Sequence, residues 1–421
     1  MLDYFNYPYS RVEGLPHGWL TATYLVASTD YSLVLKRCGN FAVGQTVGTW
    51  VKVPGISDDM IRHRQGRVVG LDVVPSEVPH QAPSFILRLA FPTINFAGSL
   101  AMMLTALIGN DVSTALPVRL CDITYPNPHE DGFQGPRQGM NELRKLAAVH
   151  SQRPLVLNML KPCAGFSPAE GARLFYDVAI GGIDLIKDDE LLASPCYNKV
   201  AERTALYLKA AQSASEVCGK NPVYLPNITG TPKEMRNNAK AVLDAGAHAC
   251  LINFVFGGLD ALKEIADEFG DKLFIMGHYA GVSAFGQPYG SIANSVMLGL
   301  LPRYAGAHAV MTMNPNYNDP STLYDFYRTV QSQRLEIPGL AAVVTTVGGG
   351  ITQLNQEIVQ EHLGPDIVIG IGGAIQGHPM GTTAGARAAM AAVAASANHV
   401  PLAEAALECP PLAEALKHWE H

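Results

Sequence analysis

The second two-thirds of this chain alternates short β-branched apolar runs with helical patterns, and it does so eight times. The strand candidates fall at 155–161, 184–187, 223–228, 250–255, 273–278, 309–313, 342–347 and 367–371. Helical patterns lie between most of them, for example at 169–180, 233–245 and 322–333. Eight strand–helix repeats in about 280 residues is the count of a (β/α)8 TIM barrel. A doubly wound open sheet also takes alternating elements. It fits less well, because polar groups here end many different strands, whereas an open sheet gathers its ligand groups at one crevice.

The preceding stretch has another texture. Residues 1–18 are aromatic and rich in Pro and Gly, which suits an ordered arm. Strand patterns follow at 19–27, 45–53, 66–74, 85–91 and 117–125, with helical patterns from Asp30 and over 97–108. The second helix stops at Gly109-Asn110, a sound C-terminal signal. Mixed strands and helices point to a small α+β domain. The Pro/Gly-rich junction 126–137 leads out of it. The expected division is therefore 1–130 for the small domain and 131–421 for the barrel.

Composition limits the function classes. At 48% hydrophobic and 16% charged, the 421 residues suit a soluble protein with large cores. A net charge of -7 without any basic run argues against nucleic-acid or anionic-membrane partners. No apolar stretch reaches the length of a membrane span, and Met1-Leu2-Asp3-Tyr4-Phe5 lacks the features of a signal peptide. Seven cysteines with no CxxC pair read as reduced thiols. A cytoplasmic location is expected.

One stretch concentrates the chemistry: Gly181-Gly182-Ile183-Asp184-Leu185-Ile186-Lys187-Asp188-Asp189-Glu190. It reads as a short apolar strand ending in a lysine and three acids. Alternation along a strand lets Lys187 and Asp189 share one side, and Glu190 can join them once the chain turns. Two carboxylates and a lysine at a barrel mouth suit a hard-cation site; they equally suit a solvated acidic loop, and the residues alone leave both open.

The same stretch resembles the metal-site segment of the RuBisCO superfamily. Phe133-Gln134-Gly135-Pro136, Gly139, Arg153-Pro154-Leu155, Gly48-Thr49-Trp50, Gly109-Asn110 and Gly377-His378-Pro379 are similar to that family too, in order along most of the chain. The resemblance implies a C-terminal (β/α)8 TIM barrel preceded by a small ferredoxin-like α+β domain. It implies that Lys187 takes up CO2 as a carbamate and binds Mg2+ together with Asp189 and Glu190. Carbamylation turns a cationic amine into an anionic oxygen ligand, which Mg2+ prefers.

Other positions follow from the resemblance. Lys161 would be the proton-transfer lysine, with desolvation and the nearby metal pushing its pKa down; a surface lysine ending a strand is the plainer reading. His278 would contact substrate oxygens, or be a satisfied core histidine. Gly349, Gly350, Gly372 and Gly373, after the last two strands, would offer backbone N–H groups to a phosphate, although glycine pairs also serve ordinary turns. Thr49, Trp50 and Asn110 would complete the site from a partner's small domain, which implies a homodimer or a higher homo-oligomer.

The departures from the family pattern are as informative. Tyr279, Met311 and Gly348 stand where bisphosphate enzymes carry an arginine, a histidine and a serine, so no charge remains to neutralise a second phosphate. Cys163 replaces a second lysine. The loop 313–318 lacks the lysine that covers added CO2, and Gly44 stands for the glutamate that partners it. The sequence is thus identified as a form IV RuBisCO-like protein that does not fix CO2. The implied chemistry is a Mg2+-dependent enolate from a monophosphorylated keto sugar or keto sugar acid, in carbohydrate catabolism. The first choice is a lyase, either a decarboxylase or a transcarboxylase/hydrolase, on a 3-oxo-isoapionate 4-phosphate-like substrate. The alternative is methionine salvage, as 2,3-diketo-5-methylthiopentyl-1-phosphate enolase or 5-methylthioribulose-1-phosphate isomerase.

Overall fold

The structure, a computed structural model, describes residues 17–28, 30–48, 53–74, 84–96, 98–110, 118–285 and 291–420. Two compact units are interleaved along the chain. One comprises Met1–Gly135, Gly281–Ala305 and Tyr327–Ala341; the other comprises Pro136–Ala280, Gly306–Phe326 and Ala342–His421.

The first unit is built on β1 (Trp19–Ala27), β2 (Arg67–Val74), β3 (Ser84–Pro92) and β4 (Val118–Thr124). Helix Tyr31–Gly44 joins β1 to β2, and helix Leu100–Ile108 joins β3 to β4. Asp30 caps the first helix by accepting from Leu33 N, and Ser99 caps the second by accepting from Met102 N. The sheet order β4-β1-β3-β2, with antiparallel neighbours, is the split βαβ arrangement of a ferredoxin-like fold. Tyr24 Oη donates to Leu107 O at 2.6 Å and ties the second helix to the sheet.

One strand expected in this unit is replaced. Residues 45–47 form a turn after the first helix. The Thr46 hydroxyl donates back to Ala42 O at 2.7 Å and Gly48 N to Val43 O at 2.9 Å. A side chain that satisfies the preceding helix end competes with extension into a strand. Residues 49–52, the rest of that segment, lie outside the described residues, and Thr49 and Trp50 with them.

The second unit is the barrel. Its strands are β5 (Leu155–Met159), β6 (Leu185–Lys187), β7 (Val223–Leu225), β8 (Ala249–Ile252), β9 (Phe274–Gly277), β11 (Ala309–Met313), β12 (Val344–Gly348) and β13 (Val368–Gly370). The intervening β10 (Ser291–Ile292) pairs in parallel with β4 in the first sheet. The barrel order is β7-β6-β5-β13-β12-β11-β9-β8, with every pair parallel. A parallel bridge between Asn227 and Leu251 closes the last seam, which excludes the open sheet. Leu157, Leu185, Leu225, Leu251, Met276, Ala309, Val344 and Val368 belong to one buried cluster. Alternation then puts Met159, Lys187 and His278 one step further along the same inward faces, at the C-terminal ends of the strands. Among the described residues, no helix is long and apolar enough to cross a membrane.

Candidate active site

The end of β6 carries the acidic stretch, and its side chains separate as alternation demands. Lys187 is fully buried, and its Nζ donates to Asp188 O at 3.0 Å and lies 3.7 Å from Glu190 Oε2. Burial lowers its pKa, against the raising influence of Glu190 and Asp189. Asp188 turns the other way. It accepts from Arg203 Nη2 at 2.8 Å, Tyr224 Oη at 2.8 Å and Asn227 N at 2.8 Å. Arg203, on helix Val200–Cys218, also donates to Ala193 O at 2.8 Å and Asn198 O at 2.9 Å, so it braces the loop that follows the site.

Asp189 is buried and accepts from Lys161 Nζ at 2.5 Å and from Leu191 N at 3.1 Å. Lys161 also donates to Cys163 Sγ at 3.2 Å. The expected lowering of the Lys161 pKa counts on a nearby metal as well as on desolvation. Burial does act downward on Lys161, but its hydrogen bonds to Asp189 and Cys163 and the Asp189 charge outweigh it, and the net displacement is upward. Only the fold brings Asp189 onto this lysine.

His278 Nε2 lies 3.6 Å from Glu190 Oε2, and its Nδ1 accepts from Ala280 N at 3.1 Å. That bond assigns the proton of the neutral ring to Nε2. Burial, then the charges of Lys187 and Lys161, push its pKa down to about 2. In 15N-histidine spectra, His278 is expected to stay a neutral Nε2–H tautomer from about pH 5 to pH 8. An imidazolium signal within that range would contradict the placement.

A cavity of about 450 Å³ gathers Lys161, Glu190, His278, Tyr279, Gly349, Gly350, Gly372 and Gly373 on its walls. Gly349 and Gly350 have φ of 95° and 68°, a region that favours glycine. The four glycines and the charged groups therefore face one space. Asn110 is exposed at the end of helix Leu100–Ile108, in the other unit.

Sequence reasoning missed much of the lining. Met159, Ile351, Thr352 and Trp419 also line the cavity. Trp419 arrives on helix Pro410–Trp419, which His378 tethers through a 2.9 Å contact between its Nε2 and Pro411 O. The methionines fill notches left by glycines. A Cβ on Gly348 would lie 2.1 Å from Met311 Cε, and one on Gly372 would lie 3.2 Å from Met159 Cε. Gly348→Ala should therefore displace the Met311 methyl and cost about 1–3 kcal/mol in urea denaturation. Adding Met311→Ala should recover part of that loss; strictly additive losses would show that the two do not compete for space.

Can these side chains hold a divalent cation? Among the described residues, no three His, Cys, Asp or Glu side chains group so as to hold a metal. Asp189 and Glu190 supply two carboxylates of the kind that bind hard cations. The neighbouring amine of Lys187 is shielded from water and biased toward its neutral, nucleophilic form. The donor set fits Mg2+ if Lys187 is converted into an oxygen donor.

The family models for the ribulose bisphosphate carboxylase large chain match this chain almost end to end, the N-terminal domain at residues 19–129 and the catalytic domain at 139–419. The chain belongs to the RuBisCO large-chain family. A ribulose bisphosphate carboxylase-like protein of Archaeoglobus fulgidus is 33% identical over 93% of this chain and 92% of its own. A 2,3-diketo-5-methylthiopentyl-1-phosphate enolase of Geobacillus kaustophilus is 30% identical over 94% of this chain and 97% of its own. The crystal structure of a RuBisCO-like protein from Alicyclobacillus acidocaldarius superposes with a TM-score of 0.85 at 31% identity, covering 95% of this chain and all of that one. This RuBisCO-like protein thus shares both domains of its family.

Proposed function

We propose that this RuBisCO-like protein is a cytoplasmic, Mg2+-dependent lyase that forms an enolate from a monophosphorylated keto sugar acid by removing or transferring its carboxyl group. A 3-oxo-isoapionate 4-phosphate-like compound is the substrate class. The observation that carries the reading is the charge layout of one cavity. Glycine loops form one wall, and Lys161 is the only lysine or arginine among the described lining residues. Such a site accepts one phosphate and leaves nothing to neutralise a second.

Lys187 as a carbamate, Asp189 and Glu190 would hold Mg2+. When bound, the ion would supply Lewis acidity to two adjacent substrate oxygens. Gly349, Gly350, Gly372 and Gly373 receive the phosphate on backbone N–H groups. His278 presents Nε2–H to a substrate oxygen. Lys161 exchanges a proton with the carbon that carried the carboxyl group. Met159 and Met311 exclude water from the floor. The absence of lysine from 313–318 and Gly44 in place of a glutamate argue against CO2 fixation.

A second reading is the methionine-salvage enolase or isomerase. Met311, Met159 and Tyr279 on the lining favour an apolar methylthio tail, and the Geobacillus kaustophilus relative carries that enolase name. A panel of sugar-acid monophosphates and methylthiopentose phosphates, incubated with Mg2+ and bicarbonate in D2O and followed by NMR, separates them. CO2 loss from the sugar acid supports the first reading. Deuterium uptake or ketone migration confined to the methylthio compounds replaces it with the second. Fixation of CO2 on ribulose bisphosphate overturns both.

The working unit on this reading is a homodimer or larger, with Thr49, Trp50 and Asn110 supplied by a partner's N-terminal unit. Sedimentation at assay concentrations should show a dimer or larger, and an active monomer would contradict this.

A further inference from the structure

Lys161 lines the cavity, while Cys163, two residues on, does not. Lys161 Nζ donates to Asp189 Oδ2 at 2.5 Å and to Cys163 Sγ at 3.2 Å. Asp189 is also one of the two carboxylates placed to bind a cation, and an oxygen engaged with a cation is a weaker acceptor for an ammonium. If Asp189 were so engaged, the sulfur would remain as a partner of the amine among the described residues.

The chemistry of the thiol suits that task. A lysine carries its charge on a flexible four-carbon stem, so proton transfer at a defined carbon needs the amine held in place. A second cation at 163 would repel Lys161, and a carboxylate would bind it too tightly. An uncharged, polarizable sulfur accepts weakly and restrains the amine without pairing its charge.

We propose that Cys163 is a positioning residue that, with Asp189, holds the Lys161 amine at the cavity wall. This rests on reading Lys161 as the proton-transfer group. Cys163 acts through Lys161 alone, because it does not reach the space where a substrate would sit.

The test compares wild type, Cys163→Ala and Cys163→Ser, each loaded with Mg2+ and bicarbonate. Lys161 acetylation by an N-hydroxysuccinimide ester is followed by peptide mass spectrometry, alongside kcat and KM on whichever panel compound turns over. In Cys163→Ala, Lys161 labelling is expected to rise about tenfold and kcat to fall about tenfold with KM unchanged, the scale of one hydrogen bond to a charged group. Cys163→Ser keeps an acceptor and should restore both to within about twofold of wild type. Equal labelling in wild type and Cys163→Ala overturns the proposal, as does a serine variant as altered as the alanine one. Thermal melting of all three variants separates misfolding from mispositioning. If no panel compound turns over in wild type, the functional reading fails, while the labelling still decides the role of Cys163.

Discussion

Lys187→Ala is expected to remove all Mg2+- and bicarbonate-dependent turnover while leaving the barrel folded. Asp189 and Glu190 alone are two acid side chains, and no third His, Cys, Asp or Glu among the described residues joins them to hold a metal. On the proposed reading a modified Lys187 supplies a further oxygen; its amine is completely buried and displaced toward its neutral form by that burial. Alanine has no atom for CO2 to join, so the third oxygen is lost outright. With 13C-bicarbonate, wild type should give a carbamate signal that the variant lacks, and Mg2+ titration by calorimetry should give heat only with wild type. Unchanged turnover in the variant would remove the carbamate from the account. Stability should change little in the same variant, because the lost stem packing is set against the desolvation cost of keeping an amine buried.

Arg203→Met is expected to be the most destabilising single change near the site, at about 3–5 kcal/mol, because it leaves a buried carboxylate without its cation. Asp188 and Arg203 both have fully buried side chains. The guanidinium reaches Asp188, Tyr224, Asn198 and Ala193 together. Asp188→Leu with Arg203→Met should recover much of the loss, since an apolar pair of similar bulk has no charge to bury. Burial raises the Asp188 pKa, and Arg203 is the largest influence pulling it back down. An acid raised in the folded state is penalised when ionised; the penalty is full above its folded pKa and fades as pH falls through it. The deficit of Arg203→Met should therefore shrink on acidification from neutral pH, as Asp188 takes up a proton. A deficit that grows instead would place the damage elsewhere. Mg2+ affinity should also drop, because Arg203 braces the loop that follows the proposed ligands through Ala193 O and Asn198 O.

Several elements were legible because the signal was local. The strand at 309–313 and helices near 169–180 and 233–245 follow from apolar spacing, and the structure adds Ser167/Glu170 and Thr231/Glu234 capping boxes at the two helix starts. Strand ends were less legible. The segment expected at 250–255 stops at Ile252 and becomes helix Phe254–Gly257, and the one at 223–228 stops at Leu225. Apolar residues resume at Ile228 and Phe254, but Pro226-Asn227 and Asn253 mark the places where pairing stops. The turn at 45–47 was misread because its residues favour strands, while the hydrogen bonds that decide the matter go back to the preceding helix.

The sequence by itself determined the eight-fold alternation, the family, and which residue types stand at the strand ends, since each of these is written in neighbouring residues. Tertiary structure alone decided how those groups meet. Asp189 is 28 positions from Lys161 yet 2.5 Å away, and it raises the pKa of a lysine that burial alone would have lowered. Asp188 stands beside two site acids but turns to Arg203. The Met311 methyl occupies the space beside Gly348. Through-space distance sets electrostatics and packing, and a one-dimensional sequence does not carry it.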